Sequence, residues 1–230
     1  MNWKTFWDEK ATSENPFAQV ARIGGNAEQN EEMLNNIVEH IVKSLDIKSD
    51  DIVLDMCCGN GLLTSRLAKY CKKIVGADLS EKLIEQASKN YPEITFVCAD
   101  ALNPIESSSF NFHAQHFTKV NLYFSFQYFS IFEKGKKVID HLRKMLQQDS
   151  QIFLGDVPDS SKFFMYYNSP LRILQLVKQT VQDKNDMGKF WSEDELKVIC
   201  KELNMVGKKL IQPDYLPYSD YRMDYIITVK

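Results

Sequence analysis

Short continuous apolar runs alternate along this chain with longer segments whose apolar residues recur at helical spacing. Apolar runs at residues 51–54, 73–77, 94–98, 117–124 and 151–154 are typical of strands buried on both faces. Between these runs, residues such as Leu34, Ile37 and Ile41 recur every three or four positions, which indicates amphipathic helices. The alternation predicts a parallel sheet with helices on both faces.

The regular alternation of strands and helices stops after Asp156, where the fifth predicted strand ends. Residues 162–181 have a helical pattern that Pro170 interrupts, and Ser192 with Glu195 predicts a capping box at the start of a later helix. Segments 205–211 and 221–229 read as a closing strand pair. We therefore expect one domain over residues 1–230, divided into a lid segment at 1–29, a core at 30–156, a lid or substrate insertion at 157–204 and the strand pair at 205–230.

Composition narrows the classes of partner. The 230 residues carry 28 Lys and Arg against 31 Asp and Glu, a formal net charge of −3, without a basic face for nucleic acid. The apolar runs are too short to span a membrane, and the five cysteines show no metal spacing. We expect a cytoplasmic monomer or homodimer that binds no metal, nucleic acid or membrane and takes a small-molecule substrate.

A glycine turn follows the first predicted strand. Asp55 ends this strand, and Gly59 and Gly61 then flank Asn60, where a backbone without Cβ atoms allows a ligand to approach closely. A dinucleotide site would have a third glycine at the position of Thr64, and the Gly-Lys-Ser/Thr of a phosphate loop is absent. The turn therefore predicts a nucleotide-type crevice that lacks the usual devices for holding phosphate.

Three carboxylates end successive strands of the predicted sheet: Asp55, Asp78 and Asp100. Carboxylates accept hydrogen bonds from hydroxyls and amines, attract positive charge and repel phosphate. S-adenosylmethionine has hydroxyls, an exocyclic amine and positive charge, and it has no phosphate. The alternative interpretation of each acid is a helix cap or turn former.

The stretches VLDMCCGNG, GADLS and VCADA resemble, in order and spacing, the first three motifs of class I S-adenosylmethionine-dependent methyltransferases. The resemblance covers about residues 30–156 and implies a Rossmann-like α/β fold with a seven-stranded mixed sheet whose last strand is antiparallel. It implies that Asp78 takes the ribose hydroxyls, that Asp100 and the Ala101 N–H meet the adenine, and that Asp55 lies near the methionyl amino group. The full set of implied cofactor contacts is Asp55, Cys57, Gly59, Asn60, Gly61, Asp78, Leu79, Asp100, Ala101 and Tyr123.

Adjacent cysteines in the glycine turn suggest two interpretations. Cys57 and Cys58 are residues of the type used in nucleophilic catalysis, and they are also small apolar residues that fit a tight turn. The second interpretation is favoured, because buried cysteine behaves as a small hydrophobe.

The residues after the fourth strand limit the acceptor chemistry. The segment 123–128 lacks the Asn/Asp-Pro-Pro-Tyr/Phe motif of exocyclic-amine methyltransferases, and Gln127 stands where related small-molecule enzymes often carry histidine. His113 and His116 precede the fourth strand, at the edge of the sheet opposite to the ligand. We predict Asp156 as a base or substrate anchor, with a turn former as the equal alternative. Tyr128 is the second predicted catalytic residue.

Aromatic residues are dense at both ends of the chain. We expect residues 1–29 and the region after Asp156 to form an aromatic lid over an apolar pocket, although such clusters are also ordinary core packing. The predicted substrate contacts are Gln127, Trp191, Tyr221 and Arg222. Arg222 is expected to grip an anionic group, or else to form a solvated salt bridge.

The finer pattern of NPF, QVAR, GDVPD and YSDYRMD is similar to bacterial methyltransferases of surface-carbohydrate and secondary-metabolite pathways. The leading hypothesis is a small-molecule methyltransferase that acts on oxygen. The alternatives are a tRNA or protein methyltransferase and a non-catalytic S-adenosylmethionine-binding module.

Overall fold

The computed structural model describes residues 2–20, 31–182 and 187–230. Seven strands form one sheet in the order β3-β2-β1-β4-β5-β7-β6, in which β7 pairs antiparallel with both β5 and β6 and the other pairs are parallel. The strands are β1 (Ile52–Met56), β2 (Lys73–Asp78), β3 (Thr95–Cys98), β4 (Phe117–Tyr123), β5 (Leu146–Pro158), β6 (Met205–Leu210) and β7 (Arg222–Val229). The predicted seven-stranded mixed sheet is confirmed.

Helices cover both faces of this sheet, as the sequence predicted. They are α1 (Trp3–Lys10), α2 (Pro16–Gln19), α3 (Glu31–Leu45), α4 (Thr64–Leu67), α5 (Glu81–Asn90), α6 (Phe132–Lys144), α7 (Phe163–Tyr166), α8 (Pro170–Val181) and α9 (Glu193–Glu202). One apolar cluster packs α6 and α9 against the sheet, and a second packs α3 and α4 against the other face. Nowhere in the described ranges does a helix combine the length and the apolar composition needed to cross a membrane.

Local sequence explains where several helices begin. The Ser192 hydroxyl accepts a hydrogen bond from the Glu195 N–H, and the Glu195 carboxylate accepts one from the Ser192 N–H, so the predicted capping box starts α9. Pro170 lies in the first turn of α8, where its missing N–H costs no hydrogen bond, and Ser169 caps that helix. The predicted interruption of the segment 162–181 is therefore a boundary between α7 and α8.

The prediction that the fifth strand ends at Asp156 was wrong. Strand β5 runs from Leu146 to Pro158, and its register shifts between Leu154 and Val157 where it pairs with β7. Asp156 lies in this bulge with a φ of 57°, inside the sheet rather than beyond its edge. The sequence pattern missed the extension because a bulge breaks the alternation that marks a strand.

Candidate active site

A cavity of about 310 Å³ opens at the carboxyl ends of β1, β2, β3 and β4. This is the edge of an open α/β sheet where ligands bind, and the volume is in the range of small-molecule pockets. Ten of the predicted site residues line this cavity: Asp55, Cys57, Gly59, Asn60, Asp78, Leu79, Asp100, Ala101, Tyr123 and Tyr128. The structure thus brings most of the predicted cofactor residues into one concave site.

The turn after β1 has three residues in the left-handed region. Cys57, Gly59 and Gly61 have φ values of 62°, 59° and 79°. A Cβ on Gly59 would lie 2.7 Å from the Val20 side chain, so only glycine allows the amino-terminal segment to pack on this turn. Gly61 does not line the cavity, since its Cα faces the Phe96 ring, 2.8 Å from where a Cβ would stand. Gly61 thus has a packing role, and its cofactor contact stays a prediction.

Asp78 is the most strongly constrained acid of the cavity. One carboxylate oxygen accepts a hydrogen bond from the Gly59 N–H and the other from the Ser80 N–H, each at 2.9 Å. Burial raises the pKa of this carboxyl above its ordinary value, although both backbone hydrogen bonds act in the opposite direction. The two N–H groups thus fix the orientation of a carboxylate that faces the cavity at the end of β2.

Asp55 is held by two side chains that sequence reasoning missed. The Thr64 hydroxyl donates to one carboxylate oxygen at 2.5 Å, and the Asn121 amide donates to the other at 2.8 Å. Thr64 occupies the place of the third glycine of a dinucleotide turn, so the substitution that argued against a pyrophosphate also positions an acid. Asn121 lies in the middle of β4, next to β1, and only the register of the sheet reveals this contact.

Asp100 combines the two interpretations that the sequence left open. Its carboxylate accepts a hydrogen bond from the Leu102 N–H at 2.9 Å, which is a turn-forming contact. The residue also lines the cavity beside Ala101 and remains partly exposed. The turn therefore orients the carboxylate without removing it from the cavity wall.

The cysteines of the turn are unsuited to nucleophilic chemistry. Burial raises the pKa of the Cys57 thiol, and the carboxylate of Asp78 acts in the same direction. Burial raises the pKa of Cys58 as well. Because the thiolate is the reactive form, both side chains stay inert near neutral pH and serve as small residues of a tight turn.

The amino-terminal segment forms one wall of the cavity. Asn2, Trp3, Lys4, Trp7 and Val20 all line it. Residues 1 and 21–29, which were part of the same prediction, lie outside the described residues.

Polar contacts between distant residues hold this wall in place. The Ser80 hydroxyl donates to Asp8 at 2.6 Å, and the Asn60 amide donates to the Pro16 carbonyl and to the Gln19 side chain, both at 2.8 Å. These contacts join α1 and α2 to the turns after β1 and β2, which carry the predicted cofactor residues.

Tyr128 lies where the aromatic wall meets the sheet. It follows β4 in a short 3₁₀ helix (Phe126–Tyr128), and its ring centroid is 4.3 Å from that of Trp3 and 5.7 Å from that of Trp7. Its neighbour Phe124 also lines the cavity and has a φ of 58°, a costly conformation for an aromatic residue. The segment after β4 is thus a constrained part of the cavity wall.

The structure does not bring the four predicted substrate residues to this cavity. Trp191 is completely buried, with its ring centroid 4.8 Å from that of Phe126, and a Cβ on Gly135 would collide with it. The Gln127 amide donates to the Phe124 carbonyl at 3.0 Å. Both residues therefore belong to packing behind the wall, because the connection before α9 runs across the buried face of α6.

Arg222, Tyr221 and Asp156 form a buried group rather than an open one. The Arg222 guanidinium lies 4.6 Å from the centre of the Phe124 ring and 5.3 Å from that of Tyr221, and it donates to the Asp156 backbone carbonyl. Its distance to the Asp156 carboxylate is 3.7 Å, with both side chains 3% exposed. The solvated salt bridge proposed for Arg222 was wrong, and Asp156 faces this group rather than the cavity, because the bulge in β5 turns it inward.

Histidine and metal chemistry find no support within the described residues. All four histidines are described, and none of them lines the cavity; His40 is buried with its ring nitrogen 2.6 Å from Asp224. Over residues 2–20, 31–182 and 187–230, no group of three or more His, Cys, Asp or Glu side chains is arranged to hold a metal ion.

The strand order is that of the class I methyltransferase fold, and comparison with known proteins agrees. Residues 53–149 match a family described as "Methyltransferase domain". The magnesium protoporphyrin IX methyltransferase ChlM from Synechocystis PCC 6803, solved with S-adenosylhomocysteine, covers 99% of this chain and 100% of its own at a TM-score of 0.64 and 16% identity. The N-methyltransferase NodS from Bradyrhizobium japonicum WM9 covers 99% of this chain and 98% of its own, with a TM-score of 0.66 and 14% identity.

Similarity to curated proteins is local. A probable ribosomal RNA small subunit methyltransferase A from Methanococcus aeolicus is 40% identical over 70 residues, which are 29% of this chain and 26% of that protein. The chain thus spans about a quarter of the length of this relative. The fold is that of class I S-adenosylmethionine-dependent methyltransferases, and such similarity does not identify an acceptor.

Proposed function

We propose that this chain is an S-adenosylmethionine-dependent methyltransferase that transfers a methyl group to an oxygen of a small-molecule acceptor. The observation that carries the proposal is the Asp78 carboxylate, which two backbone N–H groups hold at the cavity wall. A buried carboxylate of this kind gains most from a ligand that donates two adjacent hydroxyls. The ribose of the methyl donor has this pair.

The chemistry of the cavity fits the whole donor. Asp100 and the Ala101 N–H would meet the adenine, with Leu79 against its ring, and Asp55 would lie near the methionyl amino group. Gly59 and Asn60 would border the methionyl part. Three carboxylates favour a cationic ligand and disfavour a phosphate, so the cavity fits this donor better than it fits an adenine nucleotide.

When bound, the donor supplies a methyl group that its sulfonium already activates, so the protein mainly has to align the acceptor oxygen. Tyr128 is our candidate for orienting this oxygen, because its ring borders the cavity next to Trp3 and Trp7 and its phenol oxygen can accept a hydrogen bond from the acceptor hydroxyl. The proton that the acceptor hydroxyl loses then passes to solvent. Asp156 lies outside the cavity wall and has no role in this proposal.

Four observations support a small acceptor. The cavity, with Trp3 and Trp7 in its wall, measures about 310 Å³, and the chain has a formal net charge of −3. One of the structural neighbours described above is named for a small molecule, magnesium protoporphyrin IX. The motif similarity to surface-carbohydrate and secondary-metabolite enzymes points to the same class. We place the protein in the cytoplasm, where cysteines such as Cys57 and Cys58, which are too close for ordinary disulfide geometry, remain reduced.

Calorimetry with the variant Asp78→Asn tests the proposal. The wild type should bind S-adenosylmethionine and S-adenosylhomocysteine in preference to NADH and ATP, and the variant should bind the donor at least about tenfold more weakly because it loses charge-assisted hydrogen bonds. The exposed Asp50→Asn is the matched control. Unchanged donor affinity in Asp78→Asn, or preference for a nucleotide with phosphates, contradicts the proposal.

A ribosomal RNA acceptor is the second candidate, because the 40%-identical relative is named for such a substrate. An RNA substrate predicts binding that weakens steeply with salt, since each neutralised phosphate releases counterions. Affinity for a structured RNA should therefore be measured over a range of salt concentrations. A steep salt dependence favours the RNA acceptor, and no measurable binding favours the small molecule.

A further inference from the structure

The helix α1 carries a polar contact at its inner end, next to the rings that line the cavity. Trp3 and Trp7 of this helix line the cavity, and Asp8 follows Trp7 directly. The Asp8 carboxylate accepts a hydrogen bond of 2.6 Å from the Ser80 hydroxyl, and the Asp8 side chain is 20% exposed. None of the eight residues of α1, all of which the structure describes, is buried. A directional contact at Asp8 therefore contributes to fixing this helix over the cavity.

Ser80 connects this contact to the carboxylate that we assign to the ribose. Ser80 is completely buried, and its hydroxyl oxygen accepts a hydrogen bond from the Leu83 N–H, which caps α5. The Ser80 backbone N–H donates to Asp78 at 2.9 Å. A serine hydroxyl has one proton to donate, and in Ser80 this proton goes to Asp8. Two hydrogen bonds that share Ser80 thus connect Asp8 on α1 with Asp78 at the end of β2.

The two acids also interact through their charges. Burial is the main cause that raises the pKa of Asp78, and the negative charge of Asp8 acts in the same direction. Burial would raise the pKa of Asp8 as well, but hydrogen bonds from Ser80 and Lys4 hold it below its ordinary value. Asp8 therefore stays ionised near neutral pH and keeps the proton of the Ser80 hydroxyl. The remaining acceptor positions of Asp78 are left for hydroxyls that a ligand donates.

We propose that Asp8 is a positioning residue for the methyl donor, which acts through Ser80 on the Asp78 carboxylate and links the position of α1 to the occupation of the ribose site. The inference rests on the proposed function, because it takes Asp78 as the acceptor of the ribose hydroxyls. Asp8 itself does not line the cavity, so its effect on the donor is indirect. The competing interpretation is that Asp8 only holds α1 in the cavity wall, and the two interpretations differ in whether its effect requires the ribose hydroxyls.

A thermodynamic cycle that changes both the protein and the ligand tests the inference with the full chain. Calorimetry measures the affinity of the wild type and of Asp8→Ala for S-adenosylhomocysteine and for its 2′-deoxy analogue, which lacks one ribose hydroxyl. The wild type should bind the analogue about tenfold more weakly than S-adenosylhomocysteine. Asp8→Ala should lower the affinity for S-adenosylhomocysteine by about five- to tenfold. It should lower the affinity for the analogue by less than about threefold, because the contact through which Asp8 acts is then already impaired.

Two further variants control this cycle. Asp8→Asn should restore most of the affinity, because its side-chain carbonyl oxygen can still accept the Ser80 hydroxyl. The exposed Glu9→Ala is the matched control on the same helix and should bind both ligands as the wild type does.

The outcomes separate this inference from the proposed function. Equal losses for both ligands in Asp8→Ala would show that Asp8 only holds the wall, and they would overturn the inference. Unchanged affinity of Asp8→Ala for S-adenosylhomocysteine, or an Asp8→Asn variant that binds as weakly as Asp8→Ala, would also overturn it. Equal affinity of the wild type for the two ligands would instead contradict the ribose role of Asp78 in the proposed function, and the inference would fall with it.

Discussion

The two aromatic-rich segments that the sequence predicts as halves of one lid differ in what they contact. Residues 2–20 line the cavity through Trp3, Trp7 and Val20, whereas no described residue after Lys134 does so. The segment after Asp156 instead divides into a buried part around Trp191 and the outward-facing helix α8. Similar composition has therefore produced a cavity wall, a core and an exposed surface.

The difference lies in polar partners rather than in apolar content. The amino-terminal segment is attached to the cofactor turns by Asp8 and by the amide of Asn60. The later segment is attached to its own aromatic neighbours, with Arg172 on Tyr166 and Tyr166 4.8 Å from Tyr221. Hydrogen bonds are directional, whereas apolar burial is not. Polar partners can therefore determine which surface a segment packs on, even though each hydrogen bond adds little net stability.

The largest effect is expected at Trp191, where the two interpretations of the later segment diverge most. Trp191→Ala should lower the free energy of unfolding by about 3–5 kcal/mol, because it empties a site packed by Phe126. Denaturant unfolding measures this change, and Trp191→Phe is the conservative control with a smaller loss. A variant of wild-type stability with a raised KM for the acceptor would instead return Trp191 to the substrate site.

A smaller effect is expected at Asn60, which attaches the amino-terminal wall. Asn60→Ala removes the hydrogen bonds to the Pro16 carbonyl and to Gln19, so it should weaken donor binding by about tenfold and lower the hydrogen-exchange protection of residues 2–20. The exposed Asn90→Ala is the control. Unchanged protection together with weaker binding would mean that Asn60 acts on the donor directly and not through the wall.

The carboxyls of Asp8 and Asp78 belong to adjacent parts of the molecule, and their pKa values are shifted in opposite directions. Burial would raise the pKa of Asp8, but hydrogen bonds from Ser80 and Lys4 hold it below its ordinary value. Burial raises the pKa of Asp78. Asp8 therefore keeps its charge, and its contact with Ser80, under conditions that protonate Asp78.

Donor affinity should fall as the pH is lowered, because only the ionised Asp78 accepts hydrogen bonds from both ribose hydroxyls. Since the pKa of Asp78 is raised, this loss of affinity should begin at a pH closer to neutrality than it would for an ordinary aspartate. Below this pKa the decline should approach about tenfold per pH unit. The ligand-free fold should change in the opposite sense, since a group with a raised folded pKa adds stability as it becomes protonated. Calorimetry from about pH 8 to pH 5 measures how donor affinity depends on pH, and Asp78→Asn should remove this dependence. A slope that persists in this variant assigns it to another group.

The sequence predicted those parts of the fold and site that depend on near neighbours. Strand β1, the turn with Gly59 and the acids Asp78 and Asp100 are local patterns, and the structure brings them to one cavity. The contact of Thr64 with Asp55 was within reach, because the two residues are nine positions apart across a recognised turn.

The remaining contacts depend on residues that are distant in sequence. Asp8 meets Ser80 across 72 positions and Arg222 meets Asp156 across 66, and no periodicity predicts either pair. Asp156 was misplaced because a bulge extends β5 beyond the point where its apolar run stops. Aromatic density at Trp191 and in α7 indicated burial or binding, but the sequence did not specify the surface against which these rings would pack.

The smallest effect is expected at the exposed apolar residues of α8, and it separates this helix from a core helix with similar apolar residues. Leu174→Ala should change the free energy of unfolding by less than about 0.5 kcal/mol, because the side chain is 66% exposed. Leu34→Ala in α3 is the matched comparison; Leu34 is completely buried, so its loss should cost about 2–5 kcal/mol. Denaturant unfolding of both variants measures the contrast. A large loss of stability in Leu174→Ala would show that this side of α8 packs against the protein in solution, and Leu174 would then belong to the core rather than to an exposed surface.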